Sequence, residues 1–465
     1  MTRRITFTIL ALTAMLNIYA QQAELLSSKA ITDLLMQDSA EVASSYGKWD
    51  QYVKEHPTDE NGWRNLYDIS KRYEDFLSGN DYAKTKKKET SVLGRMEKAI
   101  PDSYTFNYCA YDGGYWVYTS DETDDASTTD KPNYAERAIK MMPENAQGYE
   151  YEKLATYLIS QHDTLRLANL LRRYYESGQF PQEQLQYDYN ELQGMEHGGV
   201  YIAQHQGFII GKLILQLVLG MHRDKILYCE NIATYPDYLP TVFRQIGLSN
   251  DFLAPGSEYR KEVRQEMQLE MIIRYICDQS KHPVYIGGSS FATLVLGHGV
   301  PDDMKENLYN EGLTLRYSTA PYDNRKVKRH NVEERYQLDY LRFPFCVDRT
   351  NERRNYNHPA SDLAFNYAIL LYDLLPYYAE HKEERFWWLN SLLNNILEEK
   401  LQTDKDVLFN VGNTMFHIRE LNDKGKHYQV VSMPIHTKRQ ENGNMLIYSS
   451  EADEKVIFQT EPDRQ

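Results

Sequence analysis

The hydrophobic period of this chain changes near residue 195, and that change limits the fold more than any other feature. Before it, apolar residues recur at helical spacing in paired segments. After it, runs of four or five apolar residues alternate with helical stretches, the pattern of strands and helices layered around a mostly parallel sheet. Beyond residue 404 the period becomes two: VLFNV, MFHI, YQVVSM, MLIY and VIFQ are separated by NDKGK and QENGN, which reads as antiparallel β hairpins. The expected fold is therefore an α+β multidomain chain. It has a helical-repeat region over 21–190, an α/β domain over 191–345, a helical segment over 346–403 and a β-hairpin tail over 404–465.

In the first region Pro57, Trp63 and Leu66 of PTDENGWRNLYDISKRY have a spacing that resembles the junction between tetratricopeptide repeats, where a proline ends one unit and an aromatic opens the next. A second unit runs from Pro143. Tyr151, Leu154, Ala155 and Leu158 form one helical face, Leu167, Leu171 and Tyr174 another, and Gly178 with Pro181 supplies the stop. Any array of helical hairpins would satisfy the same pattern. Residues 112–132, acidic and rich in Ser and Thr, read as an exposed loop. In the α/β domain the expected strands are Val200–Ala203, Lys225–Cys229, Pro283–Gly287 and Leu313–Tyr317. Helices are expected over 206–221, from Pro240, and from Ser257 as N-cap to Gln279. Helices return at 331–341, 361–376 and 383–399.

Residues 1–20 have the three-part form of a secretory signal: Arg3 and Arg4, an apolar stretch Ile5–Leu16, and Ala20 before Gln21. The expected location is periplasmic or secreted. Loss of Arg3 and Arg4 with that segment takes the formal charge from −15 to −17, and so acidic a chain is a poor partner for nucleic acid. Phe208–Leu219 is the other strongly apolar run. Lys212 and Gln216 interrupt it and it is too short to span a bilayer, so a buried helix is expected and no membrane span in the mature chain. Cys109, Cys229, Cys277 and Cys346 are dispersed without the spacing of a zinc site or a CxxC pair. Export permits disulfides, but Cys229 and Cys277 fall in apolar contexts that suit small buried thiols.

Three stretches together carry a family resemblance: HGGVYIAQHQGFIIGKLILQLVLGMHRDKILYCENIATYPDYLPTVFRQIGL, KHPVYIGGSSFATL and ENLYNEGLTLRYS. Over roughly 130–345 the chain resembles the soluble C-terminal region of a Bacteroidota membrane-protein family of unknown function whose membrane part is similar to protein O-mannosyltransferases. The resemblance implies an exported bacterial protein combining that region with tetratricopeptide-like repeats; it brings no catalytic residues. The family often has an acidic, Asn-rich stretch after the first strand, where this chain has Gln204, His205, Gln206 and Gly207. The resemblance also implies O-glycosylation at Asp-Ser/Thr-apolar motifs, which makes Ser39 and Thr164 the candidates.

Open α/β sheets present ligands at the carboxyl ends of their strands. The candidate ligand crevice is therefore Gln204 and His205 after the first strand, Glu230 and Asn231 after the second, and Ser289 and Ser290 after the third. The intrinsic pKa of histidine suits His205 to acid–base or ligand work, though a loop histidine is commonly just solvated. GGSSF has neither GxGxxG nor GxxxxGK[ST] spacing, and neither serine lies in a GxSxG elbow, so no cofactor and no catalytic residue is assigned. Asp121, Asp124 and Asp125 lack a calcium-loop pattern and no metal is expected. The basic clusters at 325–330 and 349–354 fit pairing with the chain's own acidic surplus. Among 38 tyrosines, Tyr111 and Tyr115, with Trp116, are the candidates for stacking on sugar rings.

Two functions follow. The favoured one is a non-catalytic interaction or scaffold protein of the bacterial cell envelope that binds a protein partner. The alternative is a glycan-processing or glycan-binding protein that uses the α/β crevice.

Overall fold

A computed structural model of the protein describes residues 39–77, 82–114, 133–203, 205–233, 238–250, 265–287, 302–338 and 383–403. It also describes Leu25, Leu26, Leu341, several residues between 366 and 381, and the strands beyond 406. Residues 1–20, most of residues 112–132, the start of the helix expected from Ser257, and Cys346 lie outside the described residues. The chain divides into two compact units, residues 1–154 with 350–356 and residues 155–349 with 357–465.

The first unit is built of α1 (Ser39–Glu55), α2 (Glu60–Leu77), α3 (Tyr82–Ala99), α4 (Tyr104–Asp112), α5 (Tyr134–Met141) and the opening of α6 (Gly148–Ser160). Helix α2 packs on α1, α3 and α4, and α4 packs on α5. The turn between α1 and α2 is pinned by Trp63, whose indole Nε1 donates to the Pro57 carbonyl at 2.8 Å, and by Tyr52, whose hydroxyl donates to Asp59 at 2.7 Å. Ser103 and Asn133 cap α4 and α5, each accepting from a backbone N–H three residues on, which satisfies donors that a helix start leaves open.

The interior of this unit is unusually polar. Arg64 is buried, with its guanidinium over the rings of Tyr108 (4.5 Å) and Tyr149 (5.2 Å) and paired with Asp68 at 3.0 Å and Glu150 at 2.6 Å. Two aromatic faces and two carboxylates offset most of the cost of taking that cation out of water.

The second unit continues with α7 (Thr164–Glu176) and α8 (Gln182–Gly194), then β1 (Val200–Ala203), α9 (Gly207–Leu213) running into a π-helical turn at Ile214–Val218, and β2 (Ile226–Cys229). Helices α10 (Tyr238–Ile246) and α11 (Gln265–Gln279) precede β3 (Val284–Gly287), β4 (Leu308–Asn310) and β5 (Thr314–Tyr317). The sheet order is β2-β1-β3-β5-β4. Strands β2, β1 and β3 are parallel, while β5 and β4 run antiparallel to their neighbours. The sheet is thus mixed rather than mostly parallel. The cause is local: β4, unrecognised in the sequence, joins β5 through a three-residue turn, and Gly312 with φ +137° takes a conformation there that a side chain would resist.

Right-handed crossovers place the β1–β2 and β2–β3 connections on opposite faces when the order is 2-1-3, and the side chains agree. Tyr201 of β1 meets Lys212 of α9 on one face, and Tyr228 of β2 stacks on Tyr238 of α10 on the other. Beyond β5 come α12 (Asn324–His330), a π-helical turn at Asn331–Arg335, and α13 (Glu383–Thr403). Their apolar core gathers Val332, Tyr367, Leu370, Leu371, Leu374, Tyr378 and Leu389. Tyr336 is gripped from two sides: a Cβ on Gly194 or on Gly312 would lie 2.6 or 2.4 Å from its hydroxyl oxygen. That hydroxyl accepts from the Leu313 N–H at 3.2 Å. Two three-stranded antiparallel sheets follow, one of β6 (Asp406–Val411), β7 (Thr414–Glu420) and β8 (Tyr428–Pro434), the other of β9 (His436–Arg439), β10 (Met445–Tyr448) and β11 (Val456–Gln459). Among the described residues no helix is long and apolar enough to cross a membrane.

Candidate functional site at the strand ends

Strand β1 lies at the centre of the three parallel strands, with β2 on one side and β3 on the other. The topological switch point is therefore between β1 and β3, and the carboxyl ends of these strands open the crevice where such sheets take ligands. Residues after β1 and β2 meet directly at the carboxyl ends of those two strands. Asn231 Nδ2 donates to Gln206 Oε1, and the Cys229 thiol donates to Asn231 Oδ1 at 2.9 Å. His205 is exposed at the rim. Gln204, Ser289 and Ser290 lie outside the described residues.

Glu230 is the unusual group. It opens a short 3₁₀ turn after β2 and is 6% exposed. Among the described residues its carboxyl accepts no hydrogen bond and meets no cation. Burial first, and the neighbouring carboxyl of Glu270 second, push it up to about 7. A buried acid that keeps its proton near neutrality instead of pairing is a recognised mark of a functional position. Beside it, burial pushes the Cys229 thiol up to about 12, so that sulfur stays protonated and serves as a donor rather than a nucleophile.

No known family, characterised protein or solved structure matches this chain.

The face of β1 below the crevice carries a second group of charges that the sequence alone did not single out. Lys212 is fully buried, paired with Glu191 at 2.6 Å and with Asp188, and its ammonium lies 4.5 Å over the Tyr201 ring. The Tyr201 hydroxyl donates to Glu191 at 3.0 Å. The signal for this group was visible as the polar interruptions of the apolar run at Lys212 and Gln216. Gln216 plays a separate part, closing the turn into β2: its amide donates to the carbonyls of His222 and Lys225 at 2.9 Å each. Gln206 had no such signal, since an amide in a loop reads as solvated.

The remaining candidates are dispersed. Tyr111 is half-buried on α4, while Tyr115 and Trp116 lie outside the described residues. Ser39 begins α1. Thr164 is exposed as the first residue of α7, whose N-cap is Asp163; that carboxylate accepts from the Arg166 N–H at 3.0 Å, and Leu165 beside it is 74% exposed. Of the basic cluster at 325–330, Arg329 pairs with Glu333 at 3.3 Å and His330 contacts Glu334 at 3.2 Å; residues 349–354 lie outside the described residues. Cys109, Cys229 and Cys277 are buried free thiols. Among the described residues no group of three His, Cys, Asp or Glu side chains is arranged to hold a metal ion.

Proposed function

We propose that this chain is an exported cell-envelope protein whose α/β unit binds a glycan at the carboxyl ends of β1, β2 and β3. The observation that carries the reading is Glu230, buried, unpaired among the described residues and pushed up to about 7. A carboxyl that exchanges its proton near neutrality donates in one form and accepts in the other. The amide of Asn231, which follows it in the chain, and that of Gln206, bonded to Asn231, each carry a donor and an acceptor, and sugar hydroxyls need that mixture. Export rests on the signal-like segment 1–20, and Thr164 is a surface position open to O-glycosylation.

A second reading, a protein-binding surface on the helical unit, is supported by the tied turn at Pro57 and Trp63 and by the in-order packing of α1 to α5. Among the described residues of that unit no large apolar side chain is exposed, so its partner would be met through polar groups.

Binding to a microarray of defined neutral oligosaccharides tests the first reading. Saturable binding is expected to at least one of them, lost in Asn231→Ala and weakened in Glu230→Gln. An array on which the wild-type chain binds nothing, or binds equally with Asn231→Ala, would remove the reading.

A further inference from the structure

Away from the strand ends, the second unit holds a cleft of about 520 Å³ between α8, the segment after α12, and α13. Gln186, Glu333, Tyr336, Gln337, Arg385 and Trp388 line it together with two aliphatic side chains. The volume lies within the range of small-molecule sites.

The polar groups of this cleft are not in balance. The carboxylate of Glu333 is already committed, since its Oε1 accepts from the Tyr378 hydroxyl at 2.5 Å and from Arg329 Nε at 3.3 Å. Arg329 is itself held over the Tyr377 ring at 4.1 Å. Gln186 Nε2 donates to the side-chain Oε1 of Gln337 at 3.1 Å, leaving Gln337 Nε2 to donate elsewhere. The Tyr336 hydroxyl is occupied by the Leu313 N–H. Arg385 differs from all of these. Its guanidinium lies 5.2 Å over the Trp388 ring, and among the described residues it meets no carboxylate and donates no hydrogen bond. Behind it, Trp388 Nε1 is buried with no acceptor among the described residues. Among the described residues the cleft therefore has donors in excess, and one cation with no carboxylate opposite it.

We propose that this cleft binds a small organic carboxylate held by Arg385. A guanidinium presents two parallel N–H groups at the spacing of the two carboxylate oxygens, and stacking on an indole fixes the plane of that fork before a ligand arrives. The Gln337 amide can add a third donor, and the aliphatic lining suits the carbon skeleton. Among the described residues one cation of the cleft lacks a carboxylate, and it matches one negative charge, which favours a carboxylate over a phosphate dianion. The site is separate from Glu230 and stands whether or not the strand-end crevice binds a glycan.

Isothermal titration calorimetry on the full chain at fixed ionic strength tests this with two acid–neutral pairs, glucuronate with glucose and benzoate with benzamide, and with inorganic phosphate. At least one acid is expected to bind saturably, with its neutral partner weaker by about tenfold or more. Arg385→Gln should lose that binding at an unchanged melting temperature, Arg385→Lys should retain only part of it, and Glu230→Gln should leave it intact. Acids that bind no better than their neutral partners, phosphate bound in preference to both acids, or an Arg385→Gln protein that binds as before would overturn the assignment.

Discussion

Replacing Glu230 by glutamine should stabilise the α/β unit strongly at pH 8 and only slightly at pH 5. The carboxyl is 6% exposed, and burial with the Glu270 neighbour pushes it from 4.5 up to about 7. Below pH 4.5 the folded and unfolded chains both hold the proton, and the group contributes nothing to the pH dependence. Between 4.5 and about 7 the unfolded chain ionises while the folded chain does not, so stability falls as pH rises. Above about 7 both are ionised and the full penalty stands. At about 1.4 kcal/mol for each tenfold change in the ionisation constant, that penalty is about 3 kcal/mol. Glutamine has nearly the same shape and cannot ionise, so Glu230→Gln escapes it. Hydrogen exchange at the amides of β1 and β3, corrected for the intrinsic pH dependence, reads the effect without requiring the two units to unfold together. Protection in the variant should exceed wild type by about two orders of magnitude at pH 8 and by only about fourfold at pH 5. A gain that is absent at pH 8, or equal at the two pH values, would refute the assignment of Glu230 as an acid held out of its ordinary range. The same substitution weakens the proposed glycan site, an exchange of stability for function common where a site stores an unfavourable group.

Two further substitutions test the framework beneath the crevice. Lys212→Met leaves Asp188 and Glu191 facing each other without their cation and should cost about 3–5 kcal/mol in urea unfolding of the second unit; adding Asp188→Asn should return part of it, and a double variant no more stable than the single one would contradict the pairing. Gly287→Ala places a Cβ 2.1 Å from the Tyr201 hydroxyl oxygen, which must drive the ring off Glu191; a loss of about 1–3 kcal/mol in thermal unfolding is expected, and an unchanged midpoint would show that the ring is not confined there.

The parts of this fold that were legible in the sequence are those that depend on one short stretch at a time. Strands β1, β2 and β3 coincide with four-residue apolar runs bounded by turn residues, and the strand-end rule then singles out His205, Glu230 and Asn231 without knowledge of any contact. What stayed hidden depends on two stretches meeting. The direction of β5 cannot be read from its own alternation, because period two is the same for parallel and antiparallel neighbours. Arg64 and Lys212 are charged, and a charge reads as solvent-facing until the carboxylates and aromatic rings that enclose it are known to be there. Asp188 and Glu191 lie more than twenty residues before Lys212 in the chain, and Glu150 lies 86 residues after Arg64. Gln206 matters only because Asn231 comes to it.

The clasp around Tyr336 carries a consequence for how this protein can change over generations. Gly194 closes α8, Gly312 turns β4 into β5, and both leave room for one phenol ring. No one of the three positions can drift alone: a larger residue at either glycine excludes the tyrosine, and a smaller residue at 336 leaves a void that neither glycine can fill. In a relative of this chain the loss of the ring should therefore be accompanied by a side chain at 194, since the φ of +137° at Gly312 resists one there.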